Sequence, residues 1–281
     1  MRIVVTGGAG KAGRWVVADL REHGHDVLSV DHVPDGGAQG RSIVADMTDL
    51  GQVHDVVAGS DVVVHLAAVS GPRLLPAGET FRINATSTYN IFAAAETLGL
   101  RRVVWASSEL VMGEPWRPAR PPDLAPVDET IEPRPESAYA LSKLVGEVMA
   151  GQFARRTGMA VMGLRFTAIR EPDEYAAFPG YWTDPLTRAW NLWSYVDVRD
   201  VALSVRLAVE SSLGGAETFI VAAADTVMPR PSADLMAEVY PGVPLRRPLV
   251  GREALLSSER AGRLLGYRAG HSWQEHVASD R

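Results

Sequence analysis

The sequence predicts an α/β fold: a doubly wound parallel sheet with helices on both faces and a small C-terminal lobe beside it. Three observations support this prediction. Short β-branched runs alternate with helix-like stretches through the first two thirds of the 281 residues. Several of these runs are apolar at every position, as in parallel strands that helices cover on both faces. A glycine-rich loop follows the first strand, where parallel α/β folds bind their ligands.

The elements follow one another in the order typical of repeated βαβ units with right-handed crossovers. The predicted strands span residues 2–6, 25–30, 61–66, 102–106, 160–166 and 217–222. The predicted helices span residues 15–20, 50–58, 84–98, 137–156, about 195–210, 232–239 and 251–265. Residues 114–135 contain seven prolines, which exclude a helix or an inner strand and predict a loop.

The loop between the first strand and the first helix reads Gly7-Gly8-Ala9-Gly10-Lys11-Ala12-Gly13. Its glycines let the backbone turn tightly and approach a pyrophosphate, and the helix N-terminus offers free N–H groups and a positive dipole end. Asp31 ends the second strand about twenty residues further on, where a carboxylate accepts hydrogen bonds from an adenosine ribose. The same carboxylate would repel a 2′-phosphate. The pattern therefore predicts a Rossmann-type dinucleotide site that prefers NAD to NADP.

The composition excludes several classes of protein. The net charge of −6 argues against a nucleic-acid partner, and the lack of cysteine excludes disulfides, thiolate metal sites and a cysteine nucleophile. No metal site is predicted. No apolar stretch approaches the roughly 20 residues that span a bilayer, and Met1-Arg2 leads directly into a core strand without a signal peptide. We therefore expect a soluble cytoplasmic protein.

A catalytic group for the nicotinamide is supplied by the segment Tyr139-Ala140-Leu141-Ser142-Lys143. Residues four apart share a helix face, so Tyr139 and Lys143 point into the same space. An ammonium group, together with the positive ring of the oxidised cofactor, would lower the pKa of the phenol from about 10 towards neutrality. Tyr139 can then accept a proton from a substrate alcohol or return it to a ketone. Ser107-Ser108, after the strand 102–106, is placed to hold the substrate oxygen.

Together, Thr6-Gly7-x-x-Gly10-x-x-Gly13, Ser108 and Tyr139-x-x-x-Lys143 resemble the extended short-chain dehydrogenases/reductases, the NAD-dependent epimerase/dehydratase family. This resemblance covers essentially the whole chain. It selects the loop register Gly7-x-x-Gly10-x-x-Gly13 over the general dinucleotide register Gly8-x-Gly10-x-x-Gly13, and it implies Ser108, Tyr139 and Lys143 as catalytic residues. The cofactor contacts that it implies are Gly7, Gly10, Lys11, Ala12, Gly13, Asp31, Asp46, Met47, Leu66, Ala67, Ala68, Asn84, Ser107, Tyr139, Lys143 and Phe166.

Two positions in this set carry a more specific expectation. Asn84 resembles the family asparagine that opens the helix after the strand 61–66. Lys11 occupies a place that is usually apolar in the family, and it either favours phosphate or is a solvated surface lysine. After Phe166 the periodic pattern loosens. We therefore expect residues 1–168 and 195–225 to form the NAD-binding domain, and residues 169–194 and 226–281 a small substrate lobe.

The departures from the family pattern concern the substrate. Ala168 replaces the asparagine that sugar-nucleotide enzymes usually carry, which argues against a nucleoside-diphosphate sugar. In size the chain resembles the uronate dehydrogenases, and Ser70 is similar to that branch, whereas Glu109 and Leu110 replace its asparagine and histidine. A substrate carboxylate would need an arginine. The predicted substrate-binding residues are Ser70, Ser108, Glu109, Arg170 and Arg188.

The resulting prediction is an NAD-dependent enzyme that transfers hydride at a secondary alcohol or ketone of a sugar, sugar acid or similar polyol. Two alternatives stay open: an NAD-dependent sugar or nucleotide-sugar epimerase or dehydratase, and a non-catalytic dinucleotide sensor. A homodimer is expected through helices 84–98 and 139–156, which are apolar over much of their girth. His65 is expected to be a hydrogen-bonded core residue. Trp182, Trp190 and Trp193 either line a sugar cleft or close the small lobe.

Overall fold

The computed structural model describes residues 1–34 and 40–277, and its centre is a seven-stranded sheet in which every pairing is parallel. Its strands lie in the order β3-β2-β1-β4-β5-β6-β9. They are β1 Arg2–Thr6, β2 Asp26–Asp31, β3 Ser42–Val44, β4 Val62–His65, β5 Arg102–Ser108, β6 Ala160–Phe166 and β9 Ala216–Val221. The predicted doubly wound α/β fold is confirmed.

Helices cover both faces of this sheet. They are α1 Lys11–Glu22, α2 Leu50–Val57, α3 Ala77–Thr97, α4 Ala138–Thr157, α5 Leu186–Ala189, α6 Val198–Glu210, α7 Ser232–Val239 and α8 Glu259–Leu265. On one face, α1 packs beside α6, and their apolar residues join those of β1 and β6 in one core cluster. On the other face, α2, α3 and α4 bury Val53, Phe92 and Phe153 in a second cluster. Helices α1, α2, α3, α4 and α6 therefore bury their apolar sides against the sheet, whereas the buried residues of α5 and α7 belong to a third cluster.

The direction of the strand order reverses at β1. This strand pairs with β2 on one side and with β4 on the other, and Thr6 lies beside Val30 and His65 in the two pairings. In open parallel sheets a crevice forms at such a switch point, beyond the carboxyl ends of the strands. The residues after β1, β2, β4, β5 and β6 are therefore brought to one edge of the sheet.

A third apolar cluster lies at the β9 edge of the sheet, where it includes Ile220. It joins Met112, and Trp116 of the proline-rich loop, to Tyr175 and Tyr195 and to the later part of the chain around Trp273. Short 3-10 helices, Glu109–Met112, Pro172–Tyr181 and Trp273–Glu275, lead into it. Leu265 of α8 packs instead in the cluster under α1 and α6. The division of the chain into two domains stays a prediction.

Four predicted helix starts differ from the structure. The helix expected from residue 15 begins at Lys11. Helix α3 begins at Ala77, so Asn84 lies inside the helix rather than at its opening. The helix expected from residue 195 begins at Val198, because β8 Val196–Asp197 pairs with β7 Ile169–Arg170 and Asp197 then caps α6. The helix expected from residue 251 begins only at Glu259. Gly251 has a φ of +55°, which an α-helix does not accommodate.

Two further features bear on the predicted partners and location. Phe92, Ile91 and Phe153 are buried within the protomer, which accounts for much of the apolar girth of α3 and α4, whereas Tyr89 and Val148 are exposed. Within the described residues, no helix combines the length and apolarity that crossing a membrane requires.

Candidate active site

The glycine loop leaves room for a ligand because side chains are excluded from it. Gly7 has a φ of +73°, and a Cβ there would lie 2.6 Å from the backbone nitrogen of Ala67. A Cβ on Gly13 would lie only 2.0 Å from the carbonyl oxygen of Gly7. Helix α1 starts after Gly10 without a side-chain cap, so its first N–H groups are available to an anion. The geometry matches the loop register Gly7-x-x-Gly10-x-x-Gly13.

Asp31 lies at the tip of β2 and is joined to this loop. Its Oδ2 accepts a hydrogen bond from the backbone N–H of Ala9 at 3.0 Å, and its Oδ1 accepts one from the N–H of His32 at 2.7 Å. These contacts fix the carboxylate at the edge of the crevice. A ribose hydroxyl can donate to the lone pairs that remain.

A cavity of about 1190 Å³ runs along this edge of the sheet. Sites for drug-sized ligands measure roughly 300–1,000 Å³, so this one is large enough for a dinucleotide and part of a second ligand. Of the predicted cofactor contacts, those that line it are Gly7, Gly10, Lys11, Ala12, Gly13, Asp31, Asp46, Met47, Leu66, Ala67, Ala68, Ser107, Tyr139, Lys143 and Phe166. The cavity and the side-chain-free loop fit an NAD molecule.

Asn84 is the predicted cofactor contact that does not line the cavity. Its Oδ1 accepts from the N–H of Val69 at 2.8 Å, and its Nδ2 donates to the carbonyl of Val69 at 3.1 Å. The same amide lies 3.3 Å from the hydroxyl of Ser142 on α4. Asn84 therefore ties the loop after β4, which does line the cavity, to the helix that carries Tyr139.

Ser108, Tyr139 and Lys143 meet in the same cavity. Ser137 caps the start of α4 through the N–H of Ala140, which sets Tyr139 and Lys143 one turn apart on the face towards β5. The ammonium of Lys143 donates to the carbonyl of Ala106 at 2.8 Å and lies 5.7 Å from the centre of the Tyr139 ring. The hydroxyl of Ser108 acts on the phenol of Tyr139 and lowers its pKa. A phenol, a hydroxyl and an ammonium group thus converge on one space.

The ionisation of this group is dominated by burial. Burial raises the pKa of Tyr139 to about 12, against the opposing hydrogen bond from Ser108, and it lowers the pKa of Lys143 to about 8. Lys143 and the other groups of the protein therefore do not lower the pKa of the Tyr139 phenol by themselves. A positive nicotinamide ring would add the remaining stabilisation of a phenolate.

Ser107 belongs to a buried network that the sequence reasoning missed. Its hydroxyl donates to Oε1 of Glu147 at 2.7 Å. Arg165 of β6 donates to both oxygens of Glu147, at 2.8 Å each. Glu147 lies one helical turn after Lys143, and this spacing of four residues was the available signal. The network fixes α4 to the ends of β5 and β6.

Ser70, Glu109 and Trp190 also line the cavity, and we call these three residues the substrate wall. The two predicted arginines do not line it. Arg170 lies 3.5 Å from Glu174, and Arg188 donates to the carbonyl of Ser194 at 3.1 Å. Neither arginine is therefore placed at the cavity surface.

The three tryptophans Trp182, Trp190 and Trp193 separate into two roles. Trp190 lines the cavity. The indole N–H of Trp182 donates to the carbonyl of Val227 at 2.9 Å, and that of Trp193 donates to the carbonyl of Pro185 at 2.7 Å. Trp193 is fully buried. Trp182 and Trp193 thus pack in the third apolar cluster, whereas Trp190 is available to a ligand.

Two buried carboxyl groups, those of Glu109 and Glu114, follow Ser108 in the sequence. Glu109 is buried, and both of its oxygens lie 3.4 Å from the amide nitrogen of Asn191. Burial raises its pKa to about 8, although the charge of Arg188 opposes this. Burial also raises the pKa of Glu114 well above its ordinary value. Asn191 lies far from Glu109 in the sequence, and no sequence pattern marked either Asn191 or Glu114.

His65 is a core residue, as predicted. Its Nδ1 lies 2.8 Å from the hydroxyl of Thr6, and its Nε2 lies 3.4 Å from that of Thr88. Burial, with a contribution from the charge of Lys143, lowers its pKa to about 3. The imidazole is therefore neutral at physiological pH.

Comparison with known proteins gives this geometry a context. Residues 3–179 match the family model described as the NAD dependent epimerase/dehydratase family. A short-chain dehydrogenase/reductase superfamily protein from Agrobacterium tumefaciens, solved with bound NAD, superposes with a TM-score of 0.75. The two are 26% identical, and the match covers 98% of this chain and 94% of that one.

Three curated relatives are similar over long stretches. The L-arabinose 1-dehydrogenase (NAD(P)(+)) of Haloferax volcanii is 35% identical over 62% of this chain and 69% of its own length. The uronate dehydrogenase of Pseudomonas syringae pv. tomato is 32% identical over 61% of both chains. The UDP-glucose 4-epimerase of Corynebacterium glutamicum is 26% identical over 100% of this chain and 94% of its own.

These matches confirm the resemblance drawn from the glycine loop, Ser108 and the Tyr139–Lys143 pair. The relatives are dehydrogenases and epimerases, which argues against the alternative of a non-catalytic dinucleotide sensor. The chain belongs to the NAD-dependent epimerase/dehydratase family of extended short-chain dehydrogenases/reductases, and it is an enzyme whose cofactor is NAD.

Proposed function

We propose that this protein is an NAD-dependent oxidoreductase that acts at a secondary alcohol or ketone of a sugar, sugar acid or similar polyol. The observation that carries the proposal is the convergence of Ser108, Tyr139 and Lys143 in the cavity that begins at the glycine loop. A proton-transfer group and a hydroxyl donor beside a dinucleotide site are what alcohol oxidation requires.

NAD supplies the hydride acceptor or donor. The glycine loop and the N-terminus of α1 would hold its pyrophosphate, and Asp31 would accept a hydrogen bond from its adenosine ribose. The side chains of Asp46 and Met47 lie further along the same cavity, where the adenine would lie. Lys11 forms an ion pair of 2.7 Å with Glu174, so its charge is already compensated.

In the direction of oxidation, Ser108 holds the substrate hydroxyl and Tyr139, as phenolate, accepts the hydroxyl proton. The electron pair of the neighbouring carbon–hydrogen bond leaves as hydride, and a carbonyl forms. In reduction the tyrosine returns the proton to the carbonyl oxygen. Lys143 favours the phenolate electrostatically, and its hydrogen bond to Ala106 fixes the position of its ammonium group.

Replacing Tyr139 with phenylalanine tests this proposal. General acid–base groups contribute roughly 10²–10⁴-fold to rate, and we expect a loss of that size in kcat, read from the absorbance of the reduced cofactor. NAD binding should persist. The matched control is Tyr89→Phe, because Tyr89 lies on the exposed side of α3. Tyr139→Phe with undiminished turnover would contradict the mechanism.

An epimerase is the second candidate, and one observation favours it: the similarity to a UDP-glucose 4-epimerase spans the whole chain. In an epimerase the hydride returns to the same substrate. Cofactor that survives purification, with sugar interconversion but no net reduction of added NAD, would select this candidate. Net formation of reduced cofactor would eliminate it.

We also propose that the protein forms a homodimer through α3 and α4. Tyr89 and Leu141 are exposed apolar side chains on these helices, and Val148 is 59% exposed. A symmetric pairing would cover this patch. Sedimentation of the wild type and of Val148→Glu tests the proposal, and a wild type that sediments as a monomer would reject it.

A further inference from the structure

We propose that the substrate wall selects an uncharged sugar rather than a sugar acid, and that Glu109 is the residue that selects it. The inference rests on the proposed function, because it concerns the substrate of the same site. It goes further by separating the two chemical classes that the family resemblance left together.

The position of Glu109 carries the first step. Glu109 follows Ser108 directly and lines the cavity. Tyr139 lines the same cavity, and the charge of Glu109 raises the pKa of its phenol. The 3-10 helix Glu109–Met112 and the hydrogen bond from Leu110 to Ser108 fix this placement. A substrate held by Ser108 and Tyr139 therefore meets Glu109.

The second step is the balance of charge behind the wall. Glu109 and Glu114 are both buried and interact electrostatically, and Arg188 acts on both of them. Neither carboxyl oxygen of Glu114 has a hydrogen-bond partner among the described residues. Arg170 also acts on Glu109, so two carboxyl groups share two guanidinium groups. A substrate carboxylate would be the third acid in this region, and burying an uncompensated charge is costly.

The third step is the position of the cations. Among the described residues that line the cavity, the basic ones are Lys11, His32, Arg82 and Lys143. Lys11 is paired with Glu174, His32 with Asp31 and Arg82 with Glu79.

Asp31 and the glycine loop mark the cofactor part of the cavity, so these pairs do not belong to the substrate wall. The ammonium group of Lys143 already donates a hydrogen bond to the carbonyl of Ala106, and its proposed role is to stabilise the phenolate of Tyr139. The arginines that were candidates for a carboxylate, Arg170 and Arg188, do not reach the surface of the cavity.

A carboxyl group suits sugar hydroxyls well. Burial raises the pKa of Glu109. A carboxylic acid both donates and accepts hydrogen bonds, as a sugar hydroxyl does. Trp190 adds an apolar surface on which the C–H face of a sugar ring can pack.

The experiment compares sugars that differ only at the terminal carbon. D-galactose is paired with D-galacturonate and D-glucose with D-glucuronate, and L-arabinose, D-xylose and the corresponding UDP-sugars are added. Initial rates are read from the reduced cofactor with purified full-length protein and NAD. We expect kcat/KM for the preferred uncharged sugar to exceed that of every uronate at least tenfold.

Two variants test the role of Glu109 itself. Glu109→Ala should raise KM for the uncharged sugar at least tenfold, whereas the Kd for NAD stays within twofold. Glu109→Gln keeps one donor and one acceptor, and we expect it to restore KM to within about threefold of the wild type. The matched control is Glu132→Gln, because Glu132 is an exposed acid outside the cavity. A KM that moves less than twofold in Glu109→Ala would overturn the assignment of Glu109.

The outcomes separate the inference from the proposed function. Reduction of NAD by a uronate at a rate equal to or above that of its uncharged partner overturns the inference and leaves the oxidoreductase in place. A clear preference for a UDP-sugar also overturns it. If NAD binds but no sugar of any class reduces it or is interconverted, both the inference and the proposed function fail.

Discussion

The glycine loop and the substrate wall line the same cavity, yet different parts of the chain determine their shapes. The loop is contiguous, Gly7–Gly13, and its geometry is set by backbone that approaches backbone. The substrate wall depends on side chains from separate segments, because the carboxyl group of Glu109 contacts the amide of Asn191 and the charge of Arg188 acts on it. Because the glycine loop is one continuous segment, it can be recognised in the sequence. The second region becomes visible only once the fold has brought its parts together.

The largest effect that we expect comes from Gly13→Ala in the glycine loop. The new Cβ would lie 2.0 Å from the carbonyl oxygen of Gly7 and 2.7 Å from the Cα of Gly8, so the backbone must shift. We expect NAD affinity to fall on the order of a thousandfold, about 4 kcal/mol, by titration calorimetry.

The control for this variant is Gly78→Ala in α3, because a Cβ at Gly78 would meet nothing within 4 Å. Its NAD affinity should equal that of the wild type. If Gly13→Ala binds NAD as tightly as Gly78→Ala, the loop is not held by its glycines, and the contrast with the substrate wall disappears.

The network around Glu147 lies between the two regions and should show the next largest effect. Glu147→Gln removes the charge that both Arg165 and Ser107 contact, and Arg165 is 4% exposed. Breaking a buried ion pair from one side costs roughly 3–5 kcal/mol, and we expect about 3 kcal/mol of lost unfolding free energy by denaturant titration.

The exposed pair between Arg156 and Glu96 is the matched control for this buried pair. Glu96→Gln should lower the unfolding free energy by less than about 1 kcal/mol. Equal losses in the two variants would mean that the buried network does not anchor α4.

The smallest effect concerns His65 beneath the glycine loop and depends on pH. The pKa of His65 is about 3 in the folded protein and roughly 6.5 in the unfolded chain, so the unfolded state takes up a proton first as the pH falls. Its contribution is therefore complete above pH 6.5 and is lost on acidification. Between pH 7 and pH 5 this loss amounts to about 2 kcal/mol.

His65→Asn should lack this component, because asparagine does not titrate and its amide can still reach the hydroxyl of Thr6. Unfolding free energies of both proteins at pH 7 and pH 5 provide the measurement. A difference between the two pH values that is the same in wild type and variant would show that His65 is not buried in its neutral form.

The fold was predictable where local sequence determines it. The mainly apolar runs predicted β1 and β6 with their observed bounds, Arg2–Thr6 and Ala160–Phe166, because strands that helices cover on both faces are rich in apolar residues. The start of α3 was missed, since residues 77–83 contain glycine and polar side chains and lack an apolar period. Tertiary packing, rather than local preference, makes that segment helical.

The candidate site, like the fold, was predictable only where local sequence determines it. Tyr139 and Lys143 were identifiable because helical spacing alone puts them on one face. Glu114 and Asn191 were not, because they approach Glu109 only through the folding of the proline-rich loop and the segment before β8. The pKa of Tyr139 in the protein alone was not predictable for a related reason: its value depends on how deeply the phenol is buried, which no motif encodes.

The short turn Glu109–Met112 has a consequence for how such enzymes diversify. Ser108 holds the start of this turn through its own hydroxyl and the N–H of Leu110, a contact that involves no atom of the Glu109 side chain. The residue next to the catalytic serine can therefore be exchanged during evolution while the serine stays in place. Under the proposed role of Glu109, a substitution at this position would change the substrate preference without displacing Ser108.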